Sequence, residues 1–307
     1  MITLYTRTNN ILSKEFLKWL VKKIFNKYSG PDAVLDSLRR GLTNLNIPFE
    51  INPIKPKYET VHVLSGIRVL SEMITLKKTS KIATLIAGPT LVTTPHEHDN
   101  IIQNNLIDIL LFPSVWTKDF YVSLAPQLSD KIKIWPAGVE IPNKISHKEE
   151  EDVLIFKKNA PNHIYDMVIN YLNTNNIKHE TIDYGKYNLK YYHDKLLNSS
   201  LLIYLQTTES QGLALQEAWA YDIPTLVWQN STWKYKRYEW RDANISAPYL
   251  TEESGRFFNE STFSLVFESM IKDIQDKKIN PRKYCIENLS DTATTKQYLE
   301  IIKNHAK

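Results

Sequence analysis

The chain has 307 residues, of which 42% are hydrophobic and 23% charged, and its formal net charge is +4. These values are typical of a globular protein long enough for two domains, and a charge this small gives no indication of nucleic-acid binding. The one cysteine, Cys285, excludes an intrachain disulfide, and no apolar run approaches the roughly twenty residues that cross a bilayer. With no secretory signal in the sequence, we expect a cytoplasmic protein.

The first half of the chain predicts a series of parallel strands with helices between several of them. Apolar runs of strand length end in glycine, proline or serine, as parallel strands do before functional turns. The predicted strands lie in MITLYTR (1–7), PFEINP (48–53), VHVLSG (61–66), IATLIAG (82–88), IDILLFPS (107–114) and KIKIWPAG (131–138). SGPDAVLDSLRRGLTNLN (29–46) predicts a turn followed by an amphipathic helix.

One additional amphipathic helix is predicted over ILSKEFLKWLVKKIFNKY (11–28), which combines bulky apolar residues with five lysines. Such a helix can lie in an anionic membrane interface, which would make the protein peripheral at a membrane surface. It can equally pack on a core with a solvated lysine face. The second interpretation is favoured for one helix of a folded domain.

A second strand and helix series follows a polar linker, VEIPNKISHKEEED (139–152). Its predicted strands are VLIFKK (153–158), KHETIDYG (178–185), SLLIYLQ (200–206) and IPTLVW (223–228), with a helix in LALQEAWAY (213–221). The predicted fold class is therefore α/β, with an N-terminal domain over 1–143 and a C-terminal domain over 150–284. Residues 285–307 are expected to form a helix that crosses back to the first domain.

The stretch ESQGLALQEA (209–218) concentrates the candidate site residues of the second domain. Glu209 follows a strand, Gly212 precedes a helix and Glu217 lies about one turn inside that helix. Amide groups at a helix N-terminus favour an anion such as phosphate, and a glycine there lets the backbone approach it closely. Two flanking carboxylates would then accept hydrogen bonds from sugar or ribose hydroxyls. The simpler interpretation is a dipole-favoured residue before the helix and a solvated side chain on it.

This stretch resembles the E-x7-E motif of retaining GT-B glycosyltransferases, specifically the family-four-like group. The resemblance implies two Rossmann-like domains that face each other across a cleft, the N-terminal one binding the acceptor and the C-terminal one the nucleotide-sugar donor. It also implies that Glu209 contacts the transferred sugar, that Gly212 and Leu213 hold the donor diphosphate, and that Glu217 binds the ribose. The donor would be a nucleoside diphosphate sugar of the UDP or GDP type, and the acceptor a glycan or lipid-linked glycan.

The resemblance assigns three further residues to the donor. Lys157 and Lys158 follow the first strand of the second domain, where relatives carry cations that contact the diphosphate. Successive residues leaving a strand point in opposite directions, so we expect one of the two lysines to reach the ligand. Gly30 lies in a loop that resembles the family's glycine-bearing loop, although Ser29 and Asp32 also form an ordinary helix cap there.

A histidine that touches the sugar in relatives is replaced here by Ala87, Gly88 and Pro89. The nearest histidines are His96 and His98, and His96 is the better candidate, although loop histidines are more often surface residues. The segment HEHD (96–99) has ligand types that zinc accepts, but it lacks a cysteine cluster or an HExxH helix. No D-x-D motif occurs, so no metal or other cofactor is expected.

The predicted activity is the transfer of a sugar from a nucleoside diphosphate donor to a hydroxyl acceptor. The resemblance implies retention, with the departing diphosphate able to take the acceptor's proton, so that no side-chain base is required. A nucleotide-sugar epimerase or a sugar phosphorylase on the same scaffold remains the alternative within enzymes. A non-catalytic nucleotide- or glycan-binding protein is the alternative of another class.

Overall fold

The chain forms two compact units in a computed structural model that describes residues 1–8, 17, 20–21, 29–145 and 152–305. Residues 1–138 and 291–307 belong to the first unit, and residues 139–290 to the second. The first unit thus ends at Gly138, where the predicted boundary was residue 143. The second unit ends at Ser290, where the predicted boundary was residue 284.

The first unit is built on a parallel sheet of six strands in the order β2-β1-β3-β4-β5-β6. These strands are β1 (Ile2–Tyr5), β2 (Phe49–Ile51), β3 (Thr60–Val63), β4 (Thr84–Ala87), β5 (Ile109–Phe112) and β6 (Ile132–Ile134). Its helices are α1 (Gly30–Asn44), α2 (Ile67–Lys78) and α3 (Val115–Leu124), with short 3-10 turns at Ile101–Gln103 and Pro126–Leu128. Five of these strands lie inside the runs predicted as strands, and β3 begins at Thr60, one residue before its predicted run at 61–66.

The second unit contains a parallel sheet of five strands in the order β13-β10-β9-β7-β8. The strands are β7 (Asp152–Lys157), β8 (His179–Asp183), β9 (Ser199–Leu205), β10 (Thr225–Trp228) and β13 (Gly255–Phe258). The helices are α4 (Asn162–Thr174), α5 (Leu189–Leu196), α6 (Leu213–Ala220), α7 (Phe263–Gln275) and α8 (Pro281–Asn288). An antiparallel hairpin of β11 (Thr232–Tyr235) and β12 (Tyr238–Arg241) is inserted after β10.

The central strands β7, β9 and β10 are buried on both faces of the second sheet, which explains why they are nearly continuous apolar runs. Phe156 and Tyr204 belong to the core on one face of the sheet, while Ile155 and Ile203 belong to the core on the other face. This alternation follows from the two-residue period of a strand.

The C-terminal helix α9 (Asp291–His305) packs within the first unit against α1. A side chain at Gly41 or Gly138 would collide with it, since a Cβ there would lie 2.5 Å from the Asp291 carbonyl oxygen or 2.6 Å from the Asp291 Cα. Arg40 donates to the Asp291 carboxylate, and Trp135 Nε1 donates to the Thr294 carbonyl at 3.0 Å. Close helix packing, an ion pair and a buried hydrogen bond therefore fix α9.

Two features differ from the sequence-based predictions, and one predicted helix lies almost entirely outside the described residues. Val139, at the start of the predicted strand-free linker, forms an isolated parallel bridge with Ser290 and is buried. The hairpin of β11 and β12 was not predicted. The predicted helix over 11–28 lies outside the described residues except for Leu17, Leu20 and Val21, whose side chains are exposed.

Candidate functional site

The candidate site lies where the strand order of the second sheet reverses. The chain leaves β7 for its neighbour β8 on one side, and β9 then follows on the other side of β7. Helical connections that leave adjacent strands in opposite directions open a crevice at the carboxyl ends of those strands, where α/β proteins bind ligands. Lys157 ends β7 and Leu205 ends β9, so the segments that begin with Lys158 and Gln206 border this crevice.

Glu209 is held in this crevice by a cation and a phenol. Its Oε1 accepts hydrogen bonds from Lys158 Nζ at 2.9 Å and from the Tyr204 hydroxyl at 2.6 Å. The Glu209 and Lys158 side chains are 12% and 17% exposed, so water screens this ion pair weakly. The Glu209 amide donates to the Ile245 carbonyl at 2.8 Å, which fixes the backbone of the loop as well.

Tyr204 donates from a fully buried position beneath the loop. Its ring stacks on Phe156 with centroids 5.0 Å apart. Burial, and then the charge of Glu209, raise the pKa of Tyr204 well above its ordinary value, so the hydroxyl keeps its proton. This contact was missed in the sequence analysis because an apolar strand such as SLLIYLQ gives no indication of which hydroxyl meets a loop carboxylate.

The two lysines after β7 have different surroundings. Lys158 Nζ contacts Glu209 and lies 4.5 Å from the centroid of the Tyr184 ring. Lys157 Nζ lies 4.0 Å from the centroid of the Tyr165 ring, on helix α4. An ammonium has three N–H donors, so Lys158 can hold Glu209 and still donate to a bound anion. Lys158 is therefore the better placed of the two for a ligand of the crevice.

Helix α6 begins directly after Gly212, in line with its predicted turn. Gly212 has φ of 90° and ψ of 51°, a left-handed conformation that glycine adopts without strain. The first hydrogen bond inside the helix runs from the Gln216 amide to the Gly212 carbonyl at 3.1 Å. The amides of residues 213–215 precede that bond and have no acceptor within the helix. Amides at a helix N-terminus favour an anion, and Leu213 is the first residue of this helix.

Glu217 lies on α6 one turn beyond Leu213. Its side chain is 20% exposed, and its Oε2 lies 3.5 Å from Nε2 of His193 on α5. The His193 ring is tilted against Tyr221 with centroids 4.8 Å apart. Burial, and then the charge of Glu217, raise the pKa of the nearby Tyr187 hydroxyl. His193 is a neighbour of the site that the sequence analysis did not identify, since its position on an amphipathic helix resembles that of any surface histidine.

The structure thus brings five of the predicted residues together at the carboxyl ends of β7 and β9: Lys158, Glu209, Gly212, Leu213 and Glu217. A Cβ built on Gly212 would lie 3.8 Å from Glu209 Cβ, so the loop and the start of α6 are in contact.

Gly30 and His96 belong to the first unit. Gly30 is the first residue of α1, next to the mutual cap of Ser29 and Asp32, and no atom of the described residues lies within 4 Å of a Cβ built on it. His96 is exposed, with Nδ1 3.2 Å from Asn100 Oδ1. Within the described ranges, no three or more His, Cys, Asp and Glu side chains are grouped to hold a metal ion.

The fold is similar to that of solved glycosyltransferases, although the sequence identity is low. One such structure is the lipopolysaccharide outer core galactosyltransferase WaaB in its apo form, with a TM-score of 0.60, 11% identity and 99% coverage of both chains. Another is HepE of Anabaena in complex with UDP and glucose, with a TM-score of 0.60, 10% identity and coverage of 99% of this chain and 100% of that one. A third is a sucrose-phosphate synthase of Thermosynechococcus elongatus, with a TM-score of 0.58, 9% identity and coverage of 99% and 98%. No family model matches the sequence, and no curated protein is similar to it in sequence.

These similarities extend over nearly the whole chain, and with the parallel sheets of both units they show a GT-B fold. The predicted fold class is confirmed. In the described part of the chain, no helix is long and apolar enough to cross a membrane.

Proposed function

We propose that the protein is a retaining, metal-independent glycosyltransferase that moves a sugar from a nucleoside diphosphate to a hydroxyl of a glycan or lipid-linked glycan. The donor would bind in the crevice at the carboxyl ends of β7 and β9, where Lys158, Glu209, Gly212 and Glu217 lie. The placement of these residues at the reversal of the strand order is the observation that carries the proposal.

The charged and polar groups of this crevice suit a nucleoside diphosphate sugar. The free amides of α6 and the ammonium of Lys158 would neutralise the diphosphate, which gains charge as the sugar departs. Glu217, with its carboxylate one turn away, would accept hydrogen bonds from the ribose hydroxyls. Glu209, whose position is fixed by Tyr204 and Lys158, would contact the transferred sugar and orient the ring as positive charge develops.

In the proposed reaction the bond between the anomeric carbon and the diphosphate oxygen breaks while the acceptor oxygen bonds to the same face of the sugar. The acceptor proton passes to the departing diphosphate. No protein base is needed in this reaction, and His96, the weaker catalytic candidate, has no required part in it.

Calorimetric titration with UDP, GDP and ADP tests the donor half of the proposal. We expect one nucleotide to bind in the presence of EDTA. The Glu217→Gln variant should bind it more weakly by about tenfold or more, because one charge-assisted hydrogen bond contributes about 1.5–3 kcal/mol. Glu268→Gln, which alters an exposed carboxylate on α7, is the control.

Transfer is then assayed with the sugar derivatives of the nucleotide that binds. Turnover that requires an acceptor supports the proposal. Conversion of the donor sugar without an acceptor would indicate an epimerase, and a requirement for inorganic phosphate would indicate a phosphorylase. Nucleotide binding without turnover of any donor would indicate a non-catalytic binding protein, and failure to bind all three nucleotides would contradict the proposed site.

A further inference from the structure

The hairpin of β11 and β12 separates its side chains by type onto two faces. Residues directly opposite each other in an antiparallel pair share a face. Trp233 pairs with Trp240, and Tyr235 pairs with Tyr238, so the four rings share one face. The pairs on the other face are Thr232 with Arg241 and Lys234 with Glu239. One face is therefore aromatic and the other is charged.

The charged face and the turn of the hairpin together carry more basic than acidic side chains. Residues 232–241 include four basic residues and one acidic residue, giving a net charge of +3. Glu239 is shared by Lys234 Nζ at 3.1 Å and by Arg241 Nη2 at 3.0 Å, and these two cationic side chains are 71% and 78% exposed. Exposed ion pairs contribute only about 0–1 kcal/mol to stability, so the charges do little to hold the hairpin together.

The base of the hairpin is hydrogen-bonded to the loop that carries Glu209. Asn230 Nδ2 donates to the Thr207 carbonyl at 2.8 Å and to the Thr232 carbonyl at 2.6 Å. On the returning side, the Ile245 carbonyl accepts from the Glu209 amide at 2.8 Å. Since a four-residue strand extends roughly 13 Å, a group bound along the hairpin would lie near this loop.

We propose that the charged face of the hairpin binds the acceptor and that this acceptor is an anionic glycan carrying carboxylate or phosphate groups. The inference rests on the proposed function, because the second substrate must come close to the sugar that Glu209 contacts. Arg241 can form paired hydrogen bonds with a carboxylate or phosphate, and Lys234 adds a second cation on the same face. Lys236 and Arg237 extend the positive charge to the exposed turn.

An anionic glycan fits this surface better than a membrane does. A hairpin that inserts into a bilayer interface would expose its large apolar side chains beside its cations. Here the four rings are only partly exposed, and the exposed surface consists of charged side chains along a strand face as well as at the turn. The hydrogen bonds to the Glu209 loop also place the bound group beside the reacting centre, which a surface anchor does not require.

Direct binding of matched sugars tests the inference. The probes are trehalose 6-phosphate against trehalose and trigalacturonate against maltotriose, titrated into the full chain at low and high salt. We expect at least one anionic sugar to bind more tightly than its neutral counterpart. Lys234→Ser/Arg241→Ser should weaken that binding about tenfold or more, which corresponds to about 1.4 kcal/mol or more. The control Lys278→Ser/Lys283→Ser removes equal charge from the same unit and should change it less than about twofold.

Three results would overturn the inference. The first is equal affinity for the charged and neutral sugars, and the second is equal loss in the hairpin and control variants. The third is hairpin-dependent binding to vesicles of phosphatidylglycerol and phosphatidylcholine without binding of either anionic sugar. The affinity for the nucleotide found by titration should be unchanged in both double variants. If the wild type binds none of the nucleotides, the proposed function is contradicted. If it binds a nucleotide but neither anionic sugar, only the role of the hairpin is contradicted.

Discussion

Glu209 is the residue whose surroundings bear most directly on function, because its Oε1 accepts from both Lys158 and Tyr204. A carboxylate that is present only because the helix dipole favours a negative charge there needs neither partner. Removing a cation from a mostly buried pair leaves the other charge uncompensated, so Lys158 is expected to matter for the conformation of Glu209 as well as for the ligand.

The two lysines after β7 offer a matched pair of substitutions. Lys158→Met should weaken binding of the nucleoside diphosphate by about tenfold or more, since a charge-assisted hydrogen bond to a phosphate is lost. Lys157→Met removes the same charge one residue away, beside Tyr165, and should change the affinity less than about twofold. Calorimetric affinities of the two folded variants decide the matter, and equal losses would mean that charge alone, rather than the position of Lys158, attracts the nucleotide.

His62 makes stability depend on pH in the first unit. Its Nε2 lies 2.7 Å from the Gly88 carbonyl and must donate to it, so Nδ1 accepts from the Tyr298 hydroxyl at 3.0 Å. Burial lowers the pKa of His62 to about 4, below the value of about 6.5 in an unfolded chain. The unfolded chain therefore binds the proton first, and this stabilising contribution is complete above pH 6.5 and is lost as pH falls toward 4.

Protonation of His62 is expected to lower the free energy of unfolding by about 3 kcal/mol between pH 6.5 and 4. His62→Gln should be less stable than the wild type at pH 7, and its stability should fall less steeply between pH 6.5 and 4. Urea unfolding at several pH values measures both curves. Curves that stay parallel through this interval would show that His62 does not take up a proton on unfolding.

Among the elements, the C-terminal helix α9 provides the sharpest test of packing. Gly41→Ala would place a Cβ 1.9 Å from Thr295 Oγ1 and 2.5 Å from the Asp291 carbonyl, so α1 and α9 must separate. We expect a loss of about 1–3 kcal/mol in the free energy of unfolding, as for other overpacked cores. Gly30→Ala, on the same helix, adds a Cβ that meets no atom of the described residues within 4 Å, and it should leave stability unchanged or raise it slightly. Thermal and urea unfolding compare the two, and a Gly41→Ala variant as stable as Gly30→Ala would refute the close packing.

The elements also show which parts of the structure the sequence could predict. The centres of runs such as SLLIYLQ and IDILLFPS are apolar because both faces of these strands are covered, and these strands were predicted. The hairpin was missed because TWKY and YEWR alternate aromatic and charged residues around Lys236 and Arg237, without the glycine or asparagine that usually indicates a tight turn.

The candidate site was partly predictable for a similar reason. A glycine between an apolar strand and a run of helix formers indicates a turn, so the positions of Glu209, Gly212 and Glu217 along the chain followed from local pattern. The partners of these residues did not follow. Tyr204, His193 and Lys158 meet the carboxylates through the arrangement of the sheet and helices, which a local pattern does not contain.

At the scale of the whole molecule, we propose that the second unit is the donor-binding part of a GT-B protein. A ligand that binds the folded state at 100 times its dissociation constant stabilises that state by about 2.7 kcal/mol. Saturating nucleotide should therefore raise the unfolding temperature of the wild type and should raise it less in Glu217→Gln. An equal shift in both proteins would place the nucleotide elsewhere.

In the proposed reaction Glu209 contacts the transferred sugar while Glu217 holds the ribose. Steady-state kcat and KM for the donor, measured for Glu209→Gln and Glu217→Gln together with the affinity for the bare nucleotide, separate these two roles. We expect Glu209→Gln to lower kcat far more than it weakens nucleotide binding, because the contact of Glu209 strengthens as charge develops on the sugar. Glu217→Gln should raise the donor KM about tenfold or more with little change in kcat. A near-normal kcat for Glu209→Gln, or a loss of stability alone in both variants, would contradict the claim.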